Sequence, residues 1–152
     1  LLGQGRACLV FLFDPMLSRT PSGFVSQMLL SSIVHFRLGL PTANFLSKTD
    51  LLEPDELEKI LDWGDNLDVL EVALYEESEQ QSNDAKSGSQ RAEFAIGQLR
   101  MMQNAAIQPG LIPLSSEVED GLADVLTFAQ SIFGGMADTR DGFAGDIENE
   151  KS

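Results

Sequence analysis

Three short apolar segments, separated by stretches with helical periodicity, constrain the fold more than any other feature of this sequence. They cover residues 7–13, 42–47 and 111–114. The first of them is an unbroken apolar run, which is typical of a strand that is covered on both faces of a sheet. Strands that alternate with helices favour parallel pairing with right-handed crossovers. The sequence therefore predicts an α/β fold with a mostly parallel sheet.

Helix signals fill the stretches between the apolar segments. Thr20 and Pro21 have the form of an N-cap followed by proline at the first helical position, and Gly39 suits a C-cap. The spacing of apolar residues predicts helices over residues 22–38, 53–64, 66–75, 91–102 and 118–133. In the last helix, one face carries Leu122, Val125, Leu126, Ala129 and Phe133. Residues 76–89 are polar, so we expect a mobile loop there.

Chain length and composition bound the number of domains. With 152 residues, of which 43% are hydrophobic, the chain can bury one core. Three strands make a thin sheet, however, and the first strand lies almost at the amino end of a sequence without an initiator methionine. We therefore expect residues 1–135 to be the carboxyl-terminal half of a larger domain. An acidic, disordered tail over residues 136–152 should follow.

The formal net charge of -14 is unevenly distributed. Residues 1–48 contain one acid against four bases, whereas residues 50–84 contain thirteen acids and one base. Proteins that bind nucleic acid without sequence preference need cations for the phosphates, so we expect no direct nucleic-acid binding. We interpret the acidic region mainly as a solvated face, with a docking surface for a basic partner as the alternative.

Few residues offer other chemistry. Cys8, the single cysteine, falls in the first predicted strand and is expected to be a small buried hydrophobe. His35, the single histidine, is interpreted as a packing or surface residue of its helix, and Asp14 as the cap of a turn. One histidine and one cysteine cannot make a zinc site. Without a signal peptide or a long apolar run, we expect a cytoplasmic protein that does not enter a membrane.

The most informative motif is the tetrapeptide Ser47-Lys48-Thr49-Asp50, which directly follows the second apolar segment. Open α/β sheets bind ligands at the carboxyl ends of their strands. A carboxylate at that edge can accept two parallel hydrogen bonds from N1–H and the exocyclic amine of guanine, whereas adenine presents an acceptor at N1. The aliphatic part of Lys48 can lie across the flat face of the base. The motif therefore predicts a guanine-specificity loop.

Four segments together resemble the carboxyl-terminal half of the GPN-loop GTPases, P-loop NTPases of archaea and eukaryotes that are named for a Gly-Pro-Asn insertion. They are residues 10–14, 20–32, 38–41 and 46–52, and the resemblance extends from residue 7 to residue 135. It implies a P-loop NTPase fold with three layers, α/β/α. It also implies an intact protein that binds GTP and GDP and hydrolyses GTP to GDP and phosphate. The acidity of the chain further suggests an archaeal member.

The resemblance assigns roles to individual residues. Lys48 and Asp50 match the family's base-recognition lysine and aspartate, and Ser47 takes the position usually held by an asparagine that braces the phosphate loop. Ser115 and Ser116 match the loop that contacts guanine O6 through backbone N–H groups. Alone, Lys-x-Asp is often just a turn, and a serine pair is often just a helix N-cap. Because both loops follow successive strands in the family's order, we expect all five residues to form a guanine site.

The sequence lacks the parts of the family that handle the phosphates. It contains no Gly-x-x-x-x-Gly-Lys-[Ser/Thr], no Asp-x-x-Gly and no Gly-Pro-Asn segment, all of which lie upstream of residue 7 in the family. Phosphoryl transfer depends on positioning and charge stabilisation by those groups, so we expect no hydrolysis by this chain alone. The resemblance implies that the Mg²⁺ ligands lie in the missing amino-terminal half and that the intact protein is a homodimer.

Two alternatives remain open. The first is a non-catalytic GTPase-like module whose acidic residues 50–84 recruit a basic protein. Eukaryotic relatives are linked to RNA polymerase assembly, which makes RNA polymerase a candidate partner. The second is an unrelated, flavodoxin-like α/β domain in which the two loops match by chance. In that case, replacing Asp50 by alanine would leave nucleotide affinity unchanged.

Overall fold

The computed structural model describes residues 7–82, 86–107, 109–115, 117 and 121–134. Three strands form one sheet in the order β1-β2-β3, where β1 is Leu9–Phe13, β2 is Thr42–Leu46 and β3 is Leu111–Pro113. Both neighbouring pairs are parallel, with Phe13 opposite Leu46 and Leu46 opposite Pro113. The predicted α/β fold with a parallel sheet is therefore confirmed.

Six helices connect and cover the strands: α1 (Pro15–Ser18), α2 (Pro21–Leu38), α3 (Pro54–Asp65), α4 (Leu67–Ser82), α5 (Lys86–Asn104) and α6 (Leu122–Gly134). The predicted ends of α2 are confirmed. Thr20 Oγ1 accepts a hydrogen bond from the N–H of Gly23 at 3.2 Å. At the other end, Gly39 has a φ of 61° and donates its N–H to His35 O at 2.8 Å. The sequence signals thus fix α2 at both of its termini.

One apolar cluster fills the space between the sheet and the helices α2 to α5. On the sheet, Phe13, Leu46 and Leu111 contribute to this cluster from the same face. The ring of Phe24, on α2, lies 5.5 Å from the ring of Phe13 and 5.9 Å from that of Trp63 on α3. Aromatic contacts of this kind add to the stabilisation that burial of apolar area provides. The cluster therefore holds the last residues of β1 and β2 and the first residue of β3 in a fixed arrangement.

The first strand is less enclosed than its sequence predicts. Leu12 is 54% exposed, and among the described residues no strand pairs with the edge of β1 that faces away from β2. On the same face of the sheet as Leu12, Phe45 of β2 is fully buried. Cys8 precedes the strand and is half-buried rather than a core residue. The expectations that β1 is covered on both faces and that Cys8 is buried are wrong for the described part of the chain.

The loop predicted over residues 76–89 is largely helical. Helix α4 continues to Ser82, and α5 begins at Lys86. Glutamate and glutamine are good helix formers, and the two helices pack against each other along their length. Glu77 also accepts two hydrogen bonds from Ser22 at the start of α2, from its N–H at 2.9 Å and from its hydroxyl at 2.7 Å. These tertiary contacts stabilise a helix where the local composition predicted a loop.

Helix α6 is rotated relative to its predicted face. Val125, Phe128, Ala129 and Ile132 are half-buried. In contrast, Leu122, Leu126 and Phe133 are 44%, 59% and 44% exposed. Of the predicted face, only Val125 and Ala129 are therefore oriented as expected. The predicted tail over residues 136–152 lies outside the described residues. Among the described helices, none is both long enough and apolar enough to cross a membrane.

Candidate functional site

The two predicted loops lie side by side at the carboxyl edge of the sheet. Ser47 and Lys48 follow β2 and lead into a 3₁₀ turn over Thr49–Leu51. Ser115 follows β3, which pairs directly with β2. The parallel register thus brings together residues that are far apart in sequence. Ser116, the fifth predicted site residue, lies outside the described residues.

A hydrogen bond between the side chains of Ser115 and Asp50 joins the two loops. The hydroxyl of Ser115 donates to Oδ1 of Asp50 at 2.5 Å. Ser115 is fully buried, whereas Asp50 is exposed. The bond occupies one of the roughly four lone-pair sites of a carboxylate, so the group can still accept bonds from a ligand. A buried donor therefore orients an accessible carboxylate at the edge of the sheet.

Backbone contacts fix the loop after β2 to both neighbouring strands. The N–H and the hydroxyl of Ser47 both donate to Phe13 O, at 3.0 and 2.9 Å. The N–H of Thr49 donates to Leu114 O at 3.3 Å. The hydroxyl proton of Ser47 is thus used inside the fold, to tie the loop to the end of β1. Ser47 therefore stabilises the position of the loop after β2.

Lys48 adopts a backbone conformation that is uncommon for a residue with a side chain. Its φ and ψ are 52° and 45°, in the left-handed region, and its side chain is exposed. Such a conformation costs about 1–2 kcal/mol for an L-residue and persists only where the surroundings fix it. Here Leu51 donates its N–H to Lys48 O at 3.0 Å and closes the 3₁₀ turn. The turn therefore holds Lys48 and Asp50 in one defined geometry.

A glycine that the sequence analysis did not single out helps to shape the second loop. Gly121 has a φ of 72°, and a Cβ atom there would lie 2.1 Å from Pro113 O. Only glycine can pass so close to the end of β3 in this conformation. The dipeptide Asp120-Gly121 is a turn signal that could have indicated this role. Gly121 thus allows the chain to return past the residues that lead into Ser115.

The 3₁₀ turn also contacts Arg19, which lies in the chain segment that follows β1. Arg19 Nη2 donates to Leu51 O at 3.3 Å and forms an ion pair with Glu56 Oε2 at 3.1 Å. The same oxygen of Glu56 accepts the N–H of Glu53 at 3.1 Å. The hydrogen bond from Glu53 N–H lowers the pKa of Glu56 below its ordinary value. Burial opposes this effect, and the Arg19 guanidinium adds a further lowering of the pKa. Glu56 therefore remains an anion that can hold Arg19 in place.

Two other polar residues have the structural roles that were predicted. Asp14 caps α1, because its Oδ1 accepts the N–H groups of Met16 and Leu17 at 2.8 and 3.1 Å. His35 Nδ1 lies 2.9 Å from Thr42 Oγ1, at the amino end of β2 and so at the opposite edge of the sheet from Asp50. The Thr42 hydroxyl donates to Leu40 O at 2.9 Å, so His35 Nδ1 must be the donor in its own bond. Both side chains are engaged in local contacts.

The described residues offer no metal centre. Nowhere in the described ranges do three or more His, Cys, Asp or Glu side chains form a group that could hold a metal ion. Among the described residues, the carboxylate of Asp50 and the hydroxyl of Ser115 are paired with each other by a hydrogen bond and are not part of such a group.

Comparison with known proteins agrees with the family inferred from the motifs. The model of a family described as "Conserved hypothetical ATP binding protein" matches residues 1–135. In three dimensions the chain is similar to the apo crystal structure of a GTPase from Pyrococcus abyssi, with a TM-score of 0.59 and 22% identity. The match covers 82% of this chain and 47% of the other, so this chain spans about half the length of that GTPase. No curated protein matches the chain in sequence.

Proposed function

This chain belongs to the GPN-loop GTPase family, and on that premise we propose that it forms the guanine-recognition half of a nucleotide-binding GTPase. The single observation that carries the proposal is the hydrogen bond between Ser115 and Asp50 at the ends of β3 and β2. It places an oriented, accessible carboxylate at the edge where open α/β sheets bind ligands. A carboxylate is what the Watson–Crick edge of guanine needs as a partner.

The site distinguishes guanine from adenine by the hydrogen-bond donors that each base presents to the Asp50 carboxylate. Asp50 accepts N1–H and the exocyclic amine of guanine, each in a charge-assisted hydrogen bond that contributes roughly 1.5–3 kcal/mol. Adenine would direct the lone pair of its N1 at the same carboxylate. Neither adenine N1 nor the carboxylate oxygen that faces it would then have a donor, so adenine is rejected. The description of the matching family names ATP. The chemistry of Asp50 favours guanine instead.

The neighbouring residues have supporting roles in this proposal. The exposed Lys48 covers one face of the base with its aliphatic part while its ammonium group stays in water. Ser47 braces the loop through its two bonds to Phe13 O. Ser115 orients Asp50, and the backbone N–H groups near Ser115 and Ser116 bind O6 of guanine. These five residues form the predicted base site.

Hydrolysis of GTP belongs to the complete protein. The chain has no phosphate-binding loop and no Asp-x-x-Gly segment, so the groups that position the phosphates and Mg²⁺ must come from outside residues 1–152. We propose that they lie in the half of the domain that precedes this chain, and that the complete protein is a cytoplasmic homodimer. Reading the coding DNA upstream of Leu1 tests this directly. An in-frame Gly-x-x-x-x-Gly-Lys-[Ser/Thr] segment is expected, and a stop codon close to Leu1 would contradict the proposal.

Nucleotide competition tests the guanine site itself. In the complete protein, unlabelled GDP should displace a fluorescent guanine nucleotide, whereas ADP at the same concentration should not. Asp50→Ala should weaken GDP binding by at least about a hundredfold if two charge-assisted bonds are lost. Asp62→Ala is the matched control, because Asp62 is an exposed carboxylate on α3 whose side chain forms no hydrogen bond or ion pair with the described residues. Equal competition by ADP and GDP would contradict a guanine site.

A second function is supported by the acidic surface. On α3 and the start of α4, exposed carboxylates follow one another at Asp55, Glu58, Asp62, Asp65 and Asp68. This region suits a basic surface of a protein partner, such as RNA polymerase, and would serve a non-catalytic assembly module equally well. If the complete protein binds such a partner but no nucleotide, the assembly function replaces the GTPase function. Binding of the partner should then weaken as salt concentration rises.

A further inference from the structure

Arg19 lies where the segment after β1 meets the turn that carries Asp50. It is the C-cap residue of α1, and its side chain reaches across 32 residues of sequence to Leu51 O and across 37 to Glu56. None of the motifs in the sequence points to this residue. Its guanidinium thus binds the turn at a point different from the one that Ser115 contacts, Leu51 O instead of the Asp50 carboxylate.

A buried polar network fixes α1 and, with it, the backbone of Arg19. Gln27 Oε1 accepts the N–H of Asp14 at 2.6 Å, and Gln27 Nε2 donates to Ser18 Oγ at 2.8 Å. Ser18 Oγ in turn donates to Asp14 O at 2.8 Å. Gln27 is 5% exposed and Ser18 is fully buried. Satisfied buried networks of this kind rigidify the segments that they join, so the backbone of Arg19 has little freedom.

The two contacts of Arg19 act on different parts of the loop. The bond to Leu51 O holds the end of the 3₁₀ turn, one residue after Asp50. The ion pair with Glu56 holds the guanidinium against the first turn of α3. Ser115 fixes the carboxylate of Asp50, and Arg19 fixes the backbone that carries it. Both are needed if the two oxygens of Asp50 are to meet two donors of a base at once.

We propose that Arg19 is a positioning residue for guanine recognition, which holds the Asp50 turn so that both base contacts form together. This inference rests on the proposed guanine site. It predicts a specific signature, because hypoxanthine has N1–H but lacks the exocyclic amine of guanine. If the turn can move, Asp50 loses its hydrogen bond to the exocyclic amine before it loses the one to N1–H. GDP should therefore lose more affinity than inosine diphosphate when Arg19 is replaced.

The test compares Arg19→Met with the wild type in the complete protein, using displacement of a fluorescent guanine nucleotide by GDP and by inosine diphosphate. Methionine keeps an unbranched apolar stem and removes every donor. We expect the Kd for GDP to rise about three- to tenfold, as for the loss of one partly exposed hydrogen bond. The Kd for inosine diphosphate should rise less, so the ratio between the two ligands should shrink.

Arg100→Met is the matched control. Arg100 also forms an exposed ion pair, with Glu71 at 3.0 Å, but it joins α5 to α4 and contacts Tyr75 instead of the Asp50 turn. Arg100→Met should leave the ratio of the two Kd values unchanged, whatever its effect on thermal stability. The inference is overturned if Arg19→Met leaves that ratio at the wild-type value while Asp50→Ala abolishes it. A wild-type protein without preference between the two ligands would overturn the inference together with the proposed guanine site.

Discussion

The buried hydroxyl of Ser115 donates a 2.5 Å hydrogen bond to Oδ1 of the exposed Asp50, across 65 residues of sequence. The contact exists because β2 and β3 are parallel neighbours, so that the loops after them leave the sheet at one edge. It converts a flexible surface carboxylate into an oriented acceptor.

Replacing Ser115 by alanine should weaken binding of GDP by the complete protein about tenfold, because a hydrogen bond to a charged group contributes roughly 1.5–3 kcal/mol. The free energy of unfolding should change little, since Asp50 is exposed and water can replace the lost donor. Isothermal titration calorimetry measures the first effect and urea denaturation the second. Ser131→Ala, at an exposed serine of α6, is the control and should leave GDP affinity unchanged. Unchanged GDP affinity in Ser115→Ala would contradict the orienting role.

Two glycines should respond in opposite directions to the same substitution. In Gly121→Ala, the added Cβ meets Pro113 O at 2.1 Å and the φ of 72° is strained. The free energy of unfolding should fall by about 1–3 kcal/mol. Gly97, within α5, has no atom within 4 Å of an added Cβ, so Gly97→Ala should stabilise by up to about 1 kcal/mol. Urea denaturation of both variants checks the prediction, which fails if they shift the midpoint in the same direction.

Gln27→Ala should destabilise the protein by about 1–3 kcal/mol, because it removes three hydrogen bonds of a nearly buried side chain. The effect should extend to nucleotide binding, since the network fixes the segment from which Arg19 projects. Gln130→Ala, at an exposed position of α6, should change stability by less than about 0.5 kcal/mol. Thermal denaturation distinguishes the two variants. A Gln27→Ala protein as stable as Gln130→Ala would show that the network contributes nothing.

The start of α3 should lose its stabilising contact only at low pH. The pKa of Glu56 is lowered in the folded protein, by the N–H of Glu53 and by Arg19, from an ordinary value of 4.5. A carboxyl group with a lowered pKa stabilises the fold above its ordinary pKa, and this contribution is lost as the pH falls through the folded value. The amide resonance of Glu53 should therefore titrate with a midpoint below 4.5 in NMR spectra. A midpoint at or above 4.5 would contradict the contact.

Local patterns in the sequence predicted the elements that position the site. The apolar runs gave the three parallel strands, and Thr20, Pro21 and Gly39 marked the ends of α2. The motif at Lys48 and Asp50 also falls at the predicted place, after β2. These predictions depend only on residues that are close in sequence, which is why a single sequence was sufficient for them.

Contacts between distant segments account for the failures. Residues 76–82 are helical partly because Glu77 binds Ser22, which no local pattern reveals. The exposure of Leu12 depends on which elements lie over the sheet, and not on the strand itself. Two hydrogen bonds depend on strand order and helix placement, the one from Ser115 to Asp50 and the one from Arg19 to Leu51 O. Sequence patterns could name residues of the candidate site, but not how they hold one another.

The most direct test of a guanine site is to exchange the hydrogen-bonding pattern of Asp50. In Asp50→Asn, one acceptor becomes a donor, which suits xanthine because xanthine has a carbonyl where guanine has an amine. In the complete protein, we expect the variant to lose affinity for GDP and to gain affinity for xanthosine diphosphate, so that the preference reverses. If the variant still prefers GDP, or if neither affinity changes, Asp50 does not read the base and the account is wrong.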